Sequence, residues 1–216
     1  MPETLRGGGR IGPIEWATAG RPRPGEDSCG DQPIAVDIGG DGPSTGALFG
    51  VLDGLGHGPA AASAAVTAVE TLSRSRGERL EVLLQLCHRV LGGTRGAAMT
   101  LARVDFQTNR LSWTGIGNVS ANLVAKTAAG TQVRSSARLA GGIVGFKIPD
   151  IRPAQVVPIR TGDLLVVASD GIADDHLDHI DFAASAVDIA EQILSKHAKE
   201  SDDAMVLAAR HRGIPT

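Results

Sequence analysis

Tyrosine is absent from this 216-residue chain, and only 3% of its residues are aromatic. A core must therefore rest on Val, Leu, Ile and Ala. Cysteine is almost absent too: Cys29 and Cys87 stand far apart and without histidines at ligand spacing, which excludes a zinc motif and argues against a disulfide framework. Cys87 falls on one helical face with Leu83, Leu84, Val90 and Leu91 and reads as core, whereas Cys29, beside Asp31, reads as a small packing residue or a redox-sensitive neighbour of that acid. There is no excess of positive charge. A net charge of −3 gives no broad attraction to nucleic acid or to anionic lipid. No run approaches the ~20 apolar residues of a membrane span, so the expectation is a soluble, cytoplasmic protein with neither nucleic-acid nor membrane partners.

The length suits one well-filled domain. Residues 1–13, rich in glycine at Gly7, Gly8, Gly9 and Gly12, read as a flexible tail, and residues 14–212 as a single domain. Ile14–Ala19 alternates as a first strand. After a loop holding Pro22 and Pro24, a hairpin follows from Pro33–Ile38 and Ala47–Asp53. Pro59 opens a helix running to Leu72, and Arg79–Leu91 repeats apolar residues at helical spacing. Short strands come next in quick succession: 97–104, 110–116, 119–125, 131–135, 156–159 and 164–168. A helix over 181–197 and a strand over 204–209 close the chain. Meandering strands without crossover helices favour antiparallel sheet. The layout is α+β: two antiparallel sheets in a sandwich flanked by helices. Gly141–Asp150 reads as a connector rather than a flap.

The most informative pattern is an apolar run ending in Asp-Gly. Ala47–Leu52 drives into Asp53-Gly54, and Leu164–Ala168 into Ser169-Asp170-Gly171. Glycine lets backbone come close to an ion or phosphate. Asp31 after Gly30, and the pair Asp202-Asp203 before the last strand, are placed alike. Carboxylates without Cys or His partners suit Mg²⁺ or Mn²⁺ better than zinc. Gathered without cations they would repel one another and lose hydration, at a cost of several kcal/mol. Two ions ~3.5–4 Å apart can activate water and clamp a phosphate for in-line attack. Ordinary Asp-Gly turns among 24 acidic residues produce the same pattern. A dinucleotide site is disfavoured, because Gly54–Gly58 has its third glycine one residue early for G-x-G-x-x-G and the chain lacks β-α alternation.

Six blocks in order carry a resemblance: Pro24-Gly25-Glu26 with Ser28-Cys29-Gly30-Asp31; Asp53 to Gly58; Thr94 to Met99; Gly115 to Val119; Ser169 to Ile172; and Asp202-Asp203-Ala204. Together they resemble the PPM/PP2C-type metal-dependent phosphatases, more narrowly the SpoIIE/RsbX-like bacterial branch, over about Ile14 to Arg210. The resemblance implies an αββα sandwich and a binuclear Mn²⁺/Mg²⁺ centre. It also implies dephosphorylation of phosphoserine or phosphothreonine on protein partners, which for RsbX-type members are STAS-domain proteins of the stressosome in a stress-response partner switch. Asp31, Asp53, Asp170 and Asp202 match its metal-coordinating, catalytic aspartates, Gly54 offers its backbone carbonyl, and Asp203 stands behind Asp202. Compared with eukaryotic members, Gly30 replaces a glutamate, Leu55 a histidine, and no arginine stands five residues ahead of Asp31. His57 is a candidate proton donor or a solvated turn residue. Arg95 is a phosphate or partner contact or a surface charge, and Gly117-Asn118 a turn outside the chemistry. The alternative is a module of the same fold that binds a partner without turnover.

Overall fold

The computed structural model describes residues 5–39 and 42–213. In chain order they form β1 (Leu5–Ile11), β2 (Ile14–Arg21), β3 (Asp31–Asp37), β4 (Gly46–Gly54), α1 (Pro59–Arg74), α2 (Leu80–Val90), β5 (Ala97–Asp105), β6 (Arg110–Ile116), β7 (Ser120–Thr127), β8 (Gly130–Ser136), β9 (Leu139–Ala140), β10 (Gln155–Pro158), β11 (Leu164–Ala168), α3 (Ala186–His197) and β12 (Ala204–His211). One sheet has the order β1-β2-β12-β11-β7-β8 and the other β10-β6-β5-β4-β3, with β9 added to β6. Every pairing is antiparallel except β6–β9.

The sheets stack as a sandwich with three cores. Between them lie Phe49, Val51, Trp113, Leu165, Val167 and Leu207. On the outer face of the second sheet, Leu48, Leu52 and Met99 meet Ala64, Ala68 and Leu83 of α1 and α2. On the outer face of the first, Val166, Val206 and Ala208 meet Ala186, Ile189 and Ile193 of α3. Strands β4, β11 and β12 are thus buried on both faces. Their sequences accordingly run apolar without alternation, which in this fold marks a central strand covered by a helix. The αββα architecture expected from the element order is the one observed.

Several boundaries differ from the sequence reading. The glycine-rich segment taken as a tail is a strand from Leu5: β1 pairs along its whole length with β2, from Leu5 opposite Gly20 to Ile11 opposite Ile14. Composition suggested mobility, but the edge of β2 carries backbone groups that a neighbouring strand satisfies whatever its side chains. Arg10 Nη2 adds a bond to the Gly213 carbonyl (3.1 Å) and Arg6 an ion pair with Glu191 (3.1 Å). Residues 1–4 of that expected tail lie outside the described residues. Helix α3 starts at Ala186 rather than Asp181, because Ser185 forms a reciprocal capping box with Asp188. The short parallel β9 has too few residues to show a pattern. The 141–150 connector is tied down by Val144, which is fully buried and bridges to Ala97.

Candidate metal centre

The hairpin β3–β4 sets Asp31 directly opposite Asp53 in the antiparallel register. Directly opposed residues point to the same face with Cα atoms about 4.5–5.5 Å apart, so two carboxylates share one spot. Asp31 is almost fully buried. Like charges in that position oppose pairing, and the protonation behaviour shows it. Burial first, then Asp53, Asp203 and Asp170, push the Asp31 carboxyl well above the usual range, against a hydrogen bond from Ser169. Asp53 is pushed up to about 7 by burial, then by Asp170, Asp202 and Asp203. Asp170 is raised by burial and Asp202, with Lys199 pulling the other way. Asp31, Asp53, Asp170 and Asp202 therefore belong to one electrostatic site, contributed by both sheets.

The two acids of the last pair have separate duties. Asp203 is buried, and both its oxygens are spent: Oδ1 accepts from the Arg23 N–H (2.7 Å) and Oδ2 from the Gly30 N–H (2.9 Å). Asp202 is half-buried, and one oxygen accepts only the N–H of Asp203 (2.9 Å). It is the member of the pair with an oxygen left over.

The glycines act differently from the expectation that they admit a ligand. A Cβ on Gly54 would strike the Ala61 backbone in the first turn of α1, and one on Gly171 would strike the Asp203 carbonyl. Both make room for the protein's own backbone. In this way α1 and the entrance to β12 close onto the two Asp-Gly corners. The Gly54 N–H donates to the Gly30 carbonyl (3.0 Å), which joins the first corner to the residue before Asp31.

Two contacts escape a reading of the sequence. Asn118, taken as a turn residue, donates through Nδ2 to the Asp170 carboxylate (2.6 Å), and Lys199 Nζ donates to the Asp170 carbonyl (2.6 Å). Gly117, at φ +99, turns the chain so that Asn118 stands there. Asparagine beside a distant aspartate has no spacing signal. His57 is half-exposed, with Nδ1 paired to Glu26 Oε1 (2.7 Å), and Arg95 lies over Gly56 of the same loop.

Among the described residues, no three His, Cys, Asp or Glu side chains are drawn together into a finished cation cage. The acids form an open set. The donors nevertheless fit a hard divalent cation. All are oxygens, and Asp31 Oδ2 is buried without any hydrogen-bond partner. A cation would satisfy that orphaned oxygen and offset the mutual repulsion.

A helix-flanked double sheet with an aspartate cluster bridging its two layers is the architecture of the PP2C-type serine/threonine phosphatases. The model of the family Stage II sporulation protein E (SpoIIE) matches residues 43–212, and the chain belongs to that family. Among solved structures it is similar to one described under "The bacterial stressosome: a modular system that has been adapted to control secondary messenger signaling" (30% identity, TM-score 0.78, 91% of this chain and 99% of that one). It is also similar to RsbX in complex with magnesium (17%, 0.76, 97% and 99%). A third is the catalytic domain of the serine threonine protein phosphatase PstP in complex with two manganese ions (16%, 0.60, 91% and 97%). No match is found among curated proteins. No helix among the described residues is long and apolar enough to cross a membrane.

Proposed function

We propose that this protein is a metal-dependent protein serine/threonine phosphatase acting on phosphorylated STAS-domain regulators of a stress-response partner switch. The observation that carries the reading is the opposition of Asp31 and Asp53, with Asp170 and Asp202 raising Asp53 from the other sheet. Asp31, Asp53, Asp170 and Asp202, with the Gly54 carbonyl, would hold Mn²⁺ or Mg²⁺, two ions being the number this donor set suits. When bound, such ions neutralise phosphate charge and make water a competent nucleophile near neutral pH.

The chain's own residues supply position. Asp203 fixes the Gly30 backbone and hence the start of β3 at Asp31. Asn118 orients the Asp170 carboxylate, and Lys199 anchors its backbone. Glu26 accepts from His57 Nδ1 and favours the imidazolium, the form whose second proton, on Nε2, can pass to a departing serine or threonine oxygen. The stressosome-related structure at 30% identity supports the choice of substrate. The complete aspartate set weighs against a module that binds without turnover.

The test is phosphate release from phosphorylated STAS-domain proteins, alongside hydrolysis of a chromogenic aryl phosphate, with Mn²⁺ and with chelator. Both activities should need metal and vanish in Asp53→Asn. Turnover that survives Asp53→Asn and Asp170→Asn overturns the mechanism. Aryl phosphatase activity without release from STAS-domain proteins overturns the substrate alone.

A further inference from the structure

Away from the aspartate cluster, a cavity of about 140 Å³ lies between α3 and the segment that follows β11, lined by His176, His179, His197, Asp181 and Gln192 with apolar floor residues such as Ile193. Three histidines on one small cavity are notable in a chain with six.

Two of them are held alike. His176 Nδ1 lies 2.7 Å from the Ala173 carbonyl, and His197 Nδ1 lies 2.9 Å from Asp175 Oδ1. Carbonyl and carboxylate oxygens only accept, so in each ring the proton sits on Nδ1 and the neutral imidazole presents its lone pair at Nε2. An imidazole anchored through one nitrogen to an oxygen acceptor is the arrangement of a metal-ligating histidine. His176 is about nine-tenths buried (6% exposed), and its Nε2 has no partner of any kind. Burial lowers its proton affinity, against the opposing pull of the Ala173 carbonyl, which keeps the lone pair available.

The backbone holds the two rings in place. The Ala173 N–H donates to the His197 carbonyl (2.8 Å), and Ile172 bridges to Ala198. We propose that this cavity is a second metal site, distinct in chemistry from the acidic one, which takes a borderline divalent transition-metal ion of the zinc type through the Nε2 atoms of His176 and His197. His176 and His197 line the same cavity, and no three such ligands are gathered among the described residues; His179, or water, would complete a four-coordinate shell. Nitrogen donors select against Mg²⁺. The ion would staple the segment after β11 to the end of α3, next to Lys199, which also bonds the Asp170 carbonyl.

The experiment titrates chelator-stripped full-length protein with Zn²⁺ by calorimetry, and with Co²⁺ by visible absorption, in excess Mg²⁺ to occupy oxygen sites. One equivalent should bind to the wild type and equally to Asp53→Asn/Asp170→Asn, with the intense Co²⁺ bands of a four-coordinate site. Affinity should fall about tenfold or more in His176→Gln and His197→Gln, and by about tenfold in Asp175→Ala, which removes only the anchor. Circular dichroism checks each fold; His197→Gln and Asp175→Ala decide the matter if His176→Gln does not fold. No uptake by wild type, uptake unchanged in the folded histidine variants, or uptake lost in the aspartate double variant each overturns the proposal.

Discussion

The two Asp-Gly corners are alike in sequence and unlike in surroundings. Asp53 is still within β4, faces Asp31 across the hairpin and is pushed up to about 7. Asp170 comes after β11, takes a hydrogen bond from Asn118 and lies near Lys199, which pulls against the rise. The same dipeptide thus produces one acid held among its own kind and one cushioned by a donor and a cation. Burial and charged neighbours, not the motif, determine how tightly each carboxylate needs a cation.

Four experiments break or sharpen that contrast. The largest effect is on turnover: Asp53→Asn should lower kcat by about a thousandfold or more, as expected when an ion's ligand is lost. The same change should raise the melting temperature of the metal-free protein, because it removes a buried like-charge contact. Asp170→Asn should lose comparable activity with little gain in stability. Differential scanning calorimetry in chelator, beside a phosphatase assay, reads both.

Next come the glycines. Gly54→Ala and Gly171→Ala each force a Cβ into backbone and should cost about 3 kcal/mol or more in urea unfolding. The Gly171 change should be the worse, its collision with the Asp203 carbonyl being the closer.

The third concerns pH. The Asp53 carboxyl has a folded-state value of about 7 against an ordinary 3.8, so the unfolded chain releases this proton first. Stability of the metal-free protein from this group is complete below about pH 4 and is lost as pH rises through 7, by at most a few kcal/mol. Melting temperature in chelator should fall across that window; Mn²⁺ or Asp53→Asn should flatten the profile.

The smallest effect is Asn118→Ala, which should reduce kcat about tenfold with unaltered unfolding and leave Asp53 unaffected. If it equals Asp170→Asn, the cushioning is instead part of the ion's own shell, and the contrast between the corners collapses.

Most of the architecture can be read from the sequence because the strands covered on both faces are uninterrupted apolar runs, such as Leu164–Ala168, and because α1 and α2 carry apolar residues at helical spacing. Strand β1 cannot, since its hold on β2 is chiefly the backbone ladder, with only Leu5 and Ile11 at its ends packing on the core, and Gly7–Gly9 have no side chains to signal it. In the site, Asp31, Asp53, Asp170 and Asp202 are visible as acids at strand ends. Their convergence depends on the β3–β4 register and on the stacking of the sheets, neither of which local patterning reports. Asn118 and Lys199 are hidden for the same reason: their partner is distant along the chain. The roles of Asp202 and Asp203 separate only when the two backbone donors to Asp203 are seen.

Asp203 immediately precedes β12 of one sheet, yet it grips the residue ahead of β3 in the other. At this rim a single buried side chain fastens the layers of the sandwich together, so their spacing is not a free variable. Any ligand or partner acting on this site would then work through the loops around the rim, such as Gly54–Gly58 or the stretch after Gly171, and not by prising one layer from the other.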